Sequence, residues 1–417
     1  MGDQAQGSLG QLLIQIQDIR GQVPSAIATK KLYFSTESIV RTQELERSEV
    51  QRGGVRHPTR ALRGRVDVGG DINTELMATS ALLYAACGSM ETTMAGGTMG
   101  AALAAPTGVI DAVAQTLTIT QATHGQSVGG SMEITSLTAP TSLNGKIWPI
   151  VAVPDADTLV LRIPAGTTTT FTLGAGAIKP VTAAGVCTHT IKAGGKLPYY
   201  FMEKGFTDLG QYLRYLDSVC GKLSFSIGAT GAIKLDATWM ACSEQDPETS
   251  SLDIDPLDNL KTSFDNLGIA AANIKEGGTA VANILGIDTI QLENNLDGDT
   301  FVVGGQGARS AINAAVYSVT GTMRAMFDSI ALYEKAKNST VSSIDFTVTR
   351  GSGDGTSGNE SLQVVIPELI YQAKSPVING PKGVRVELGF EADYTSNSDQ
   401  TAMKFIVKNS LLPGAMI

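Results

Sequence analysis

The sequence is poor in the residues from which most catalytic and metal centres are built. Its 417 residues include three histidines and four cysteines. Cys87, Cys187, Cys220 and Cys242 form no CxxC pair and have no histidine at zinc-ligand spacing, so they read as reduced, buried thiols. Charged residues make up only 17%, and 40 acidic against 31 basic side chains leave a formal charge of −9. Such a surface repels phosphate, which argues against general nucleic-acid binding. No stretch reaches the ~18 consecutive apolar residues that cross a bilayer. The opening has one short apolar run at 12–16 without a basic segment before it, and Gln6 stands where a myristoylation site on Gly2 would need Ser or Thr. These absences predict a soluble, unexported chain with no membrane contact and no cofactor.

What is plentiful is glycine, at 46 residues, together with threonine and valine. That composition suits many short strands joined by turns. The length allows two to four domains at ~100–200 residues each.

Sliding the chain along itself exposes a duplication. Met77, Ser80, Leu83 and Tyr84 recur as Met326, Ser329, Leu332 and Tyr333 at an offset of 249. Both stretches have helical spacing. In the first, Leu76, Met77, Leu83, Tyr84 and Cys87 share a face, with Asn73 as N-cap and Gly88 just past the C-terminus. In the second, Met326, Ile330 and Tyr333 make the matching stripe. A strand precedes each helix: Leu62, Gly64, Val66 and Val68 alternate with Arg63, Arg65 and Asp67, and Tyr317, Val319, Gly321 and Met323 alternate with Ser318, Thr320 and Thr322. Farther on, residues 233–241 (Ile233, Lys234, Leu235, Asp236, Trp239) align with 384–392 (Val384, Arg385, Val386, Glu387, Phe390) at an offset of 151, each as the return strand of a hairpin. The outgoing strands carry Leu223, Phe225 and Ile227 in one case, Leu369 and Tyr371 in the other.

The fall in offset from 249 to 151 means that the first copy carries about a hundred residues that the second lacks. That insertion, residues 92–194, is itself strand-like. Leu117 and Ile119 alternate with threonines, and runs at 132–137, 147–153 and 159–163 lie between turn residues; glycine-rich joints at 96–100 and 194–195 flank it. Residues 243–260 carry six acidic and no basic side chains, broken by Pro247 and Pro256, and read as a linker. The expected fold is α+β, mostly β. It has two tandem β-sandwich or barrel domains, each with one helix, at 1–91 plus 195–242 and at 266–417. A small inserted β-barrel or sandwich occupies 92–194, and an acidic linker 243–265.

At several points the sequence resembles the major tail tube proteins of long-tailed bacteriophages, in particular the two-domain type. The resemblance is carried by Ile274 to Thr279, Ile290 to Asn295, Val319 to Thr322, Leu332, Tyr333 and the strand Ile344 to Thr349. In the first half it is carried by Glu37, Ser38, Ile39, the strand around Gly64 and Val68, the helix near Tyr84, and Glu203 to Phe206. It covers about three quarters of the chain in order and spacing. It implies packed β-sheets with one helix per tube domain, subunits joined edge to edge into rings, and rings stacked into a conduit for the genome. It also implies a virion tail component assembled in the host cytoplasm, with itself and other tail proteins as partners and DNA as a non-specific passenger. If a ring needs six tube domains, a chain with two closes it as a homotrimer.

One charge asymmetry suggests contacts. Residues 41–63 carry six Arg and three Glu, whereas 290–313 carry Glu293, Asp297, Asp299 and Arg309. Arg52, Arg56 and Arg60 are therefore candidate inter-subunit contacts with Glu293, Asp297 and Asp299; two solvated loops are the plain alternative.

Other motifs favour structural readings. Residues 125–129 match GxSxG around Ser127, beside His124, but a strand rather than a helix follows, which excludes a nucleophile elbow. His57 and His189 read as surface or core residues. Gly351, Gly353, Gly355 and Gly358 form a run without the lysine of a phosphate loop, and read as a mobile hairpin tip. Asp253, Asp255, Asp297 and Asp299 lack the remaining ligands of a calcium loop. Asn338 to Thr340 spells a glycosylation sequon with no meaning in an unexported chain. A rival reading is an adhesin or glycan-binding β-domain protein of a virion or cell surface. Few aromatics beyond Trp148 and Phe171 in the insert argue against it.

Overall fold

The computed structural model describes residues 5–47, 60–79, 81–137, 140–164, 178–258, 262–270, 273–281, 283–378, 380–395 and 397–417. It is mostly β, with three short α-helices among these residues. The chain begins with β1 (Gly10–Ile16), β2 (Lys30–Leu32), β3 (Thr36–Glu37), β4 (Val40–Glu46) and the long β5 (Leu62–Glu75), followed by α1 (Ala81–Cys87). Next come β6 (Ser89–Ala95), β7 (Thr98–Met99), β8 (Thr107–Asp111), β9 (Thr116–Thr120), β10 (Ser131–Ile134), β11 (Lys146–Asp155), β12 (Thr158–Arg162), β13 (Ile178–Ala183) and β14 (Val186–Lys192). A hairpin of β15 (Tyr200–Phe206) and β16 (Gln211–Ile227) leads to β17 (Lys234–Ala241) and β18 (Ser243–Glu244). The second half runs β19 (Ile274–Glu276), β20 (Thr279–Ala280), β21 (Ile284–Glu293), β22 (Leu296–Asp297), β23 (Asn313–Ala314) and β24 (Ser318–Met326), then α2 (Ala331–Lys337). It closes with β25 (Ser342–Thr349), β26 (Ser361–Tyr371), β27 (Arg385–Ala392), β28 (Lys404–Asn409) and α3 (Pro413–Met416).

The two sequence repeats share a pairing register. Val68 faces Ala241 and Gly70 faces Trp239 between β5 and β17, while Val319 faces Ala392 and Gly321 faces Phe390 between β24 and β27. Cys220 faces Trp239 in one hairpin and Tyr371 faces Phe390 in the other, which preserves the 151-residue offset pair by pair. The strands preceding the helices superpose at 251 rather than 249, and the helices start 250 apart, at Ala81 and Ala331.

In each repeat one long strand belongs to two sheets. The first half of β16 pairs with β15, and its second half runs between β17 and β21. Asp217, with φ of 54°, sits where β16 changes partners, its carboxylate accepting from the Gly21 amide at 2.8 Å. β26 likewise pairs with β25 along its length and with β27 only at Leu369, Ile370 and Tyr371. A single apolar cluster, including Tyr84, Tyr200, Phe225, Phe346, Phe390 and Phe405, fills the space between the sheets.

The helices are shorter than their apolar stripes predict. Asn73 is not an N-cap: β5 continues through it, and its side chain donates to Thr36 Oγ1 at 2.8 Å. The ladder to β17 holds the backbone extended as far as Glu75, so tertiary pairing overrides the local cap signal. Met326 and Ile330 fall outside α2, on the last strand residue and the N-cap. Gly88 does end α1 as expected, with φ of +76° and its N–H returned to the Tyr84 carbonyl.

The stretch 92–194 holds a second apolar cluster of its own, from Leu103 to Ile178 around Trp148. Its root is tied in more firmly than glycine joints alone would suggest. β6 pairs with β14 over seven residues, and β14 pairs on its other edge with β28, from Cys187 opposite Asn409 to Lys192 opposite Lys404. The acidic stretch after β17 is also pinned: β18 pairs with β16, Glu248 exchanges backbone bonds with Tyr212, and Phe264 is fully buried.

Candidate functional site

Chemistry inside the chain is mostly silenced. Among the described residues no group of three or more His, Cys, Asp or Glu could hold a metal. All four cysteines are free and buried, and burial pushes the Cys187 and Cys242 thiols up to about 11 and Cys220 to about 12. Ser127 lies in a turn, its carbonyl accepting from the Gly130 amide, and β10 rather than a helix follows. His124 Nδ1 accepts from the Gln126 amide at 3.0 Å, so the ring braces that turn. His189 is fully buried between β6 and β28: its Nδ1 accepts from the Thr92 hydroxyl at 2.9 Å, and its Nε2 faces Asn409 Oδ1 and the Leu411 carbonyl, both at 3.1 Å. Burial lowers its pKa to about 4, so the ring is a neutral strut. His57 lies outside the described residues. The glycine-rich tip is more ordered than a mobile loop: Asn359 Oδ1 accepts from the Ser352 amide, Glu360 receives the Gly358 amide and Arg350, and Gly355 packs on Val186 and Lys408.

The functional surface is therefore sought at the sheet edges. One continuous ladder runs β4–β5–β17–β16–β21–β24–β27–β26 through both repeats. The repeats meet at β16 and β21, where Lys222 faces Glu293, Leu223 faces Leu292 and Phe225 faces Ile290. At one end, β4 is paired only with β5 among the described residues and is exposed on both faces, with Val40 at 53% and Leu45 at 70%. At the other end, the chain leaving β26 stays beside β27 for one more bond, Gln372 N–H to the Gly389 carbonyl at 2.8 Å. Residues 372–375 are exposed. An exposed edge strand at one end and a short exposed segment beside β27 at the other are an invitation to strand addition.

The candidate contact residues are placed as follows. Arg52 and Arg56 lie outside the described residues, and Arg60 is exposed two residues before β5. Glu293 is on β21 at the junction between repeats, accepting from Gln291 Nε2 at 2.9 Å. Asp297 accepts the Asp299 amide at 3.1 Å. Asp299 stands 3.4 Å from Arg65 of the same chain, and Arg309 pairs with Asp67. Both guanidinium groups lie over the Phe301 ring, at 5.2 and 5.3 Å. The 294–317 connection of the second repeat is thus folded onto the first, where the Gly307 carbonyl accepts the Val66 amide. Lys204, noted in the sequence only as part of the resemblance, has an Nζ that donates to the Ile39 carbonyl at 2.6 Å and pairs with Glu37 at 3.0 Å, fixing the approach to β4.

A family model described as phage tail tube protein matches residues 7–392, nearly the whole chain. The chain belongs to the phage tail tube protein family. No curated protein matches it. Membership makes it a structural component of a viral tail, and the sheet edges of this tail tube protein, rather than its buried histidines or thiols, are where a structural subunit would do its work. No helix among the described residues is long and apolar enough to cross a membrane.

Proposed function

We propose that this tail tube protein polymerises through its sheet edges into closed rings, and that stacked rings form the conduit through which the genome passes. The observation that carries this reading is the ladder spanning both repeats, with the exposed strand β4 at one end and the exposed segment 372–375, which leads out of β26, at the other. A sheet that repeats with rotation closes when its last strand meets its first, leaving no free edge. On this reading the tube modules are 1–91 with 195–242 and 266–417, joined by 243–265, and 92–194 is an inserted domain. Six modules to a ring make a homotrimer with approximate sixfold symmetry.

Three chains bring a formal charge near −27, from −9 each. A wall poor in Lys and Arg lacks the phosphate contacts that hold DNA, so DNA slides as a non-specific passenger. The arginine-rich connection with Arg52, Arg56 and Arg60 corresponds to the 294–317 connection, which carries Asp297 and Asp299 and lies on the neighbouring repeat within the chain. Around a ring it would lie on the next chain in the same way, and tubes would assemble in the host cytoplasm with other tail proteins.

Electron microscopy of the purified protein tests this reading. Rings or regular tubes support it. Monodisperse monomers at high concentration would contradict it and favour an adhesin or glycan-binding role.

A further inference from the structure

The junction inside one chain is a template for the junction between chains, and it fixes which residues meet. This register rests on the ring reading above. β16 and β26 are related by 151 residues, since Cys220 and Tyr371 occupy the same ladder position against Trp239 and Phe390. β4 and β21 are related by 251. Arg41 faces Val68 and Leu292 faces Val319, and those two valines face Ala241 and Ala392. In the first repeat β16 passes from β15 onto β21 just beyond Ser218, which faces Tyr200. In the second, β26 passes from β25 at Leu369, which faces Ser342, and then meets no strand on that side among the described residues.

We propose that residues 372–375 of one chain add antiparallel to β4 of the next, with Ala373 opposite Thr42. This is the counterpart of Lys222 opposite Glu293. Gln372 then faces Gln43, as Gly221 faces Asn294, whose amide donates to the Gly221 carbonyl at 2.7 Å. Ser375 faces Val40.

Three observations fit this register. β4 is exposed on both faces and has one edge unpaired among the described residues, so its backbone groups on that side are available to a partner strand. The ladder would stop at Pro376 opposite Ile39, where no N–H is left to donate and the Ile39 carbonyl is already taken. Pro376 has no N–H, the Ile39 amide already donates to Glu37 at 3.0 Å, and the Ile39 carbonyl is taken by Lys204. Finally, an open groove of ≈ 770 Å³ runs between Met326, Phe327, Pro376, Val377 and Val384. In the first repeat the corresponding space, between Leu76 and Ile233, is filled by Phe264 from the chain's own lead-in to the second repeat. One pair is unfavourable taken alone. Lys374 falls opposite Arg41, although Glu387 Oε1, 3.7 Å from Lys374 Nζ, offsets the repulsion.

Non-hydrogen-bonded antiparallel pairs bring Cα atoms to about 4.5 Å, within the roughly 4.4–6.8 Å that a disulfide spans. The native thiols are buried and do not interfere. The test is mild oxidation of the full chain carrying Ala373→Cys with Thr42→Cys, read on a non-reducing gel beside electron micrographs of the same sample. Dimers and trimers linked through these cysteines are expected, while Ala373→Cys with Val40→Cys, two residues out of register, should stay uncrosslinked. Lys222→Cys with Glu293→Cys should close within one chain without changing its mass. Rings or tubes with no Ala373–Thr42 crosslink, or with a stronger Ala373–Val40 crosslink, would overturn the register and leave the ring reading standing. Absence of any ring would overturn both.

Discussion

Lys222 stands directly opposite Glu293 in the ladder that joins the two repeats, so residues of opposite sign face each other where β16 meets β21. Cross-strand pairs of this kind are worth about 0.2–1 kcal/mol, and like charges in their place cost a similar amount. Lys222→Glu should therefore lower stability by about 1 kcal/mol, and Lys222→Glu with Glu293→Lys should recover most of it. Urea unfolding of the two variants checks this; equal losses in both would show that the pair contributes only packing.

The aromatic and glycine that face each other in both repeats make a sharper prediction. A Cβ on Gly321 would lie 2.6 Å from the Thr289 carbonyl oxygen and 2.2 Å from Phe390 Cζ. Backbone on one side and a packed ring on the other leave nowhere to go. Gly321→Ala should cost about 1–3 kcal/mol, the range for overpacked cores. Thermal unfolding measures it, and the Phe390→Leu background should reduce the penalty.

His189 links stability to pH. Its folded pKa, about 4, lies below the ordinary 6.5, so between those values the unfolded chain binds the extra proton. The contribution is present in full above pH 6.5 and is lost as the pH falls toward 4. At roughly 1.4 kcal/mol per unit of pKa, the loss is on the order of 3 kcal/mol. Urea midpoints at pH 7 and 4.5 should converge in His189→Gln relative to the parent; an unchanged difference would place the acid sensitivity elsewhere.

Reversal of Arg52, Arg56 and Arg60 to Glu should block tube growth while leaving the subunit folded. Circular dichroism and electron microscopy on one sample separate the two effects, and normal tubes from this variant would remove the arginine connection from the assembly contacts.

Much of the fold was legible because strands buried on one face alternate visibly. Val66 and Val68, Val319 and Met323, and the two return strands at Trp239 and Phe390 lie where the period of two put them, whereas Leu62 is exposed and Tyr317 falls just before its strand. The start of α1 was not legible. Asn73 has the chemistry of a cap, but eight ladder pairs to β17 decide its conformation, and those partners lie about 165 residues away. The pairing of β14 with β28 and of β16 with β21 left no local mark for the same reason. The acidic loop was visible as charge, yet that Asp299 is already met by Arg65 of its own chain needed three dimensions.

The most direct test of the central claim is end-on imaging of a single assembled ring, with the number of chains counted by native mass spectrometry. The account predicts three chains presenting six similar modules around one lumen. A ring of six chains, or one whose neighbouring modules do not alternate between the two repeats, would contradict it.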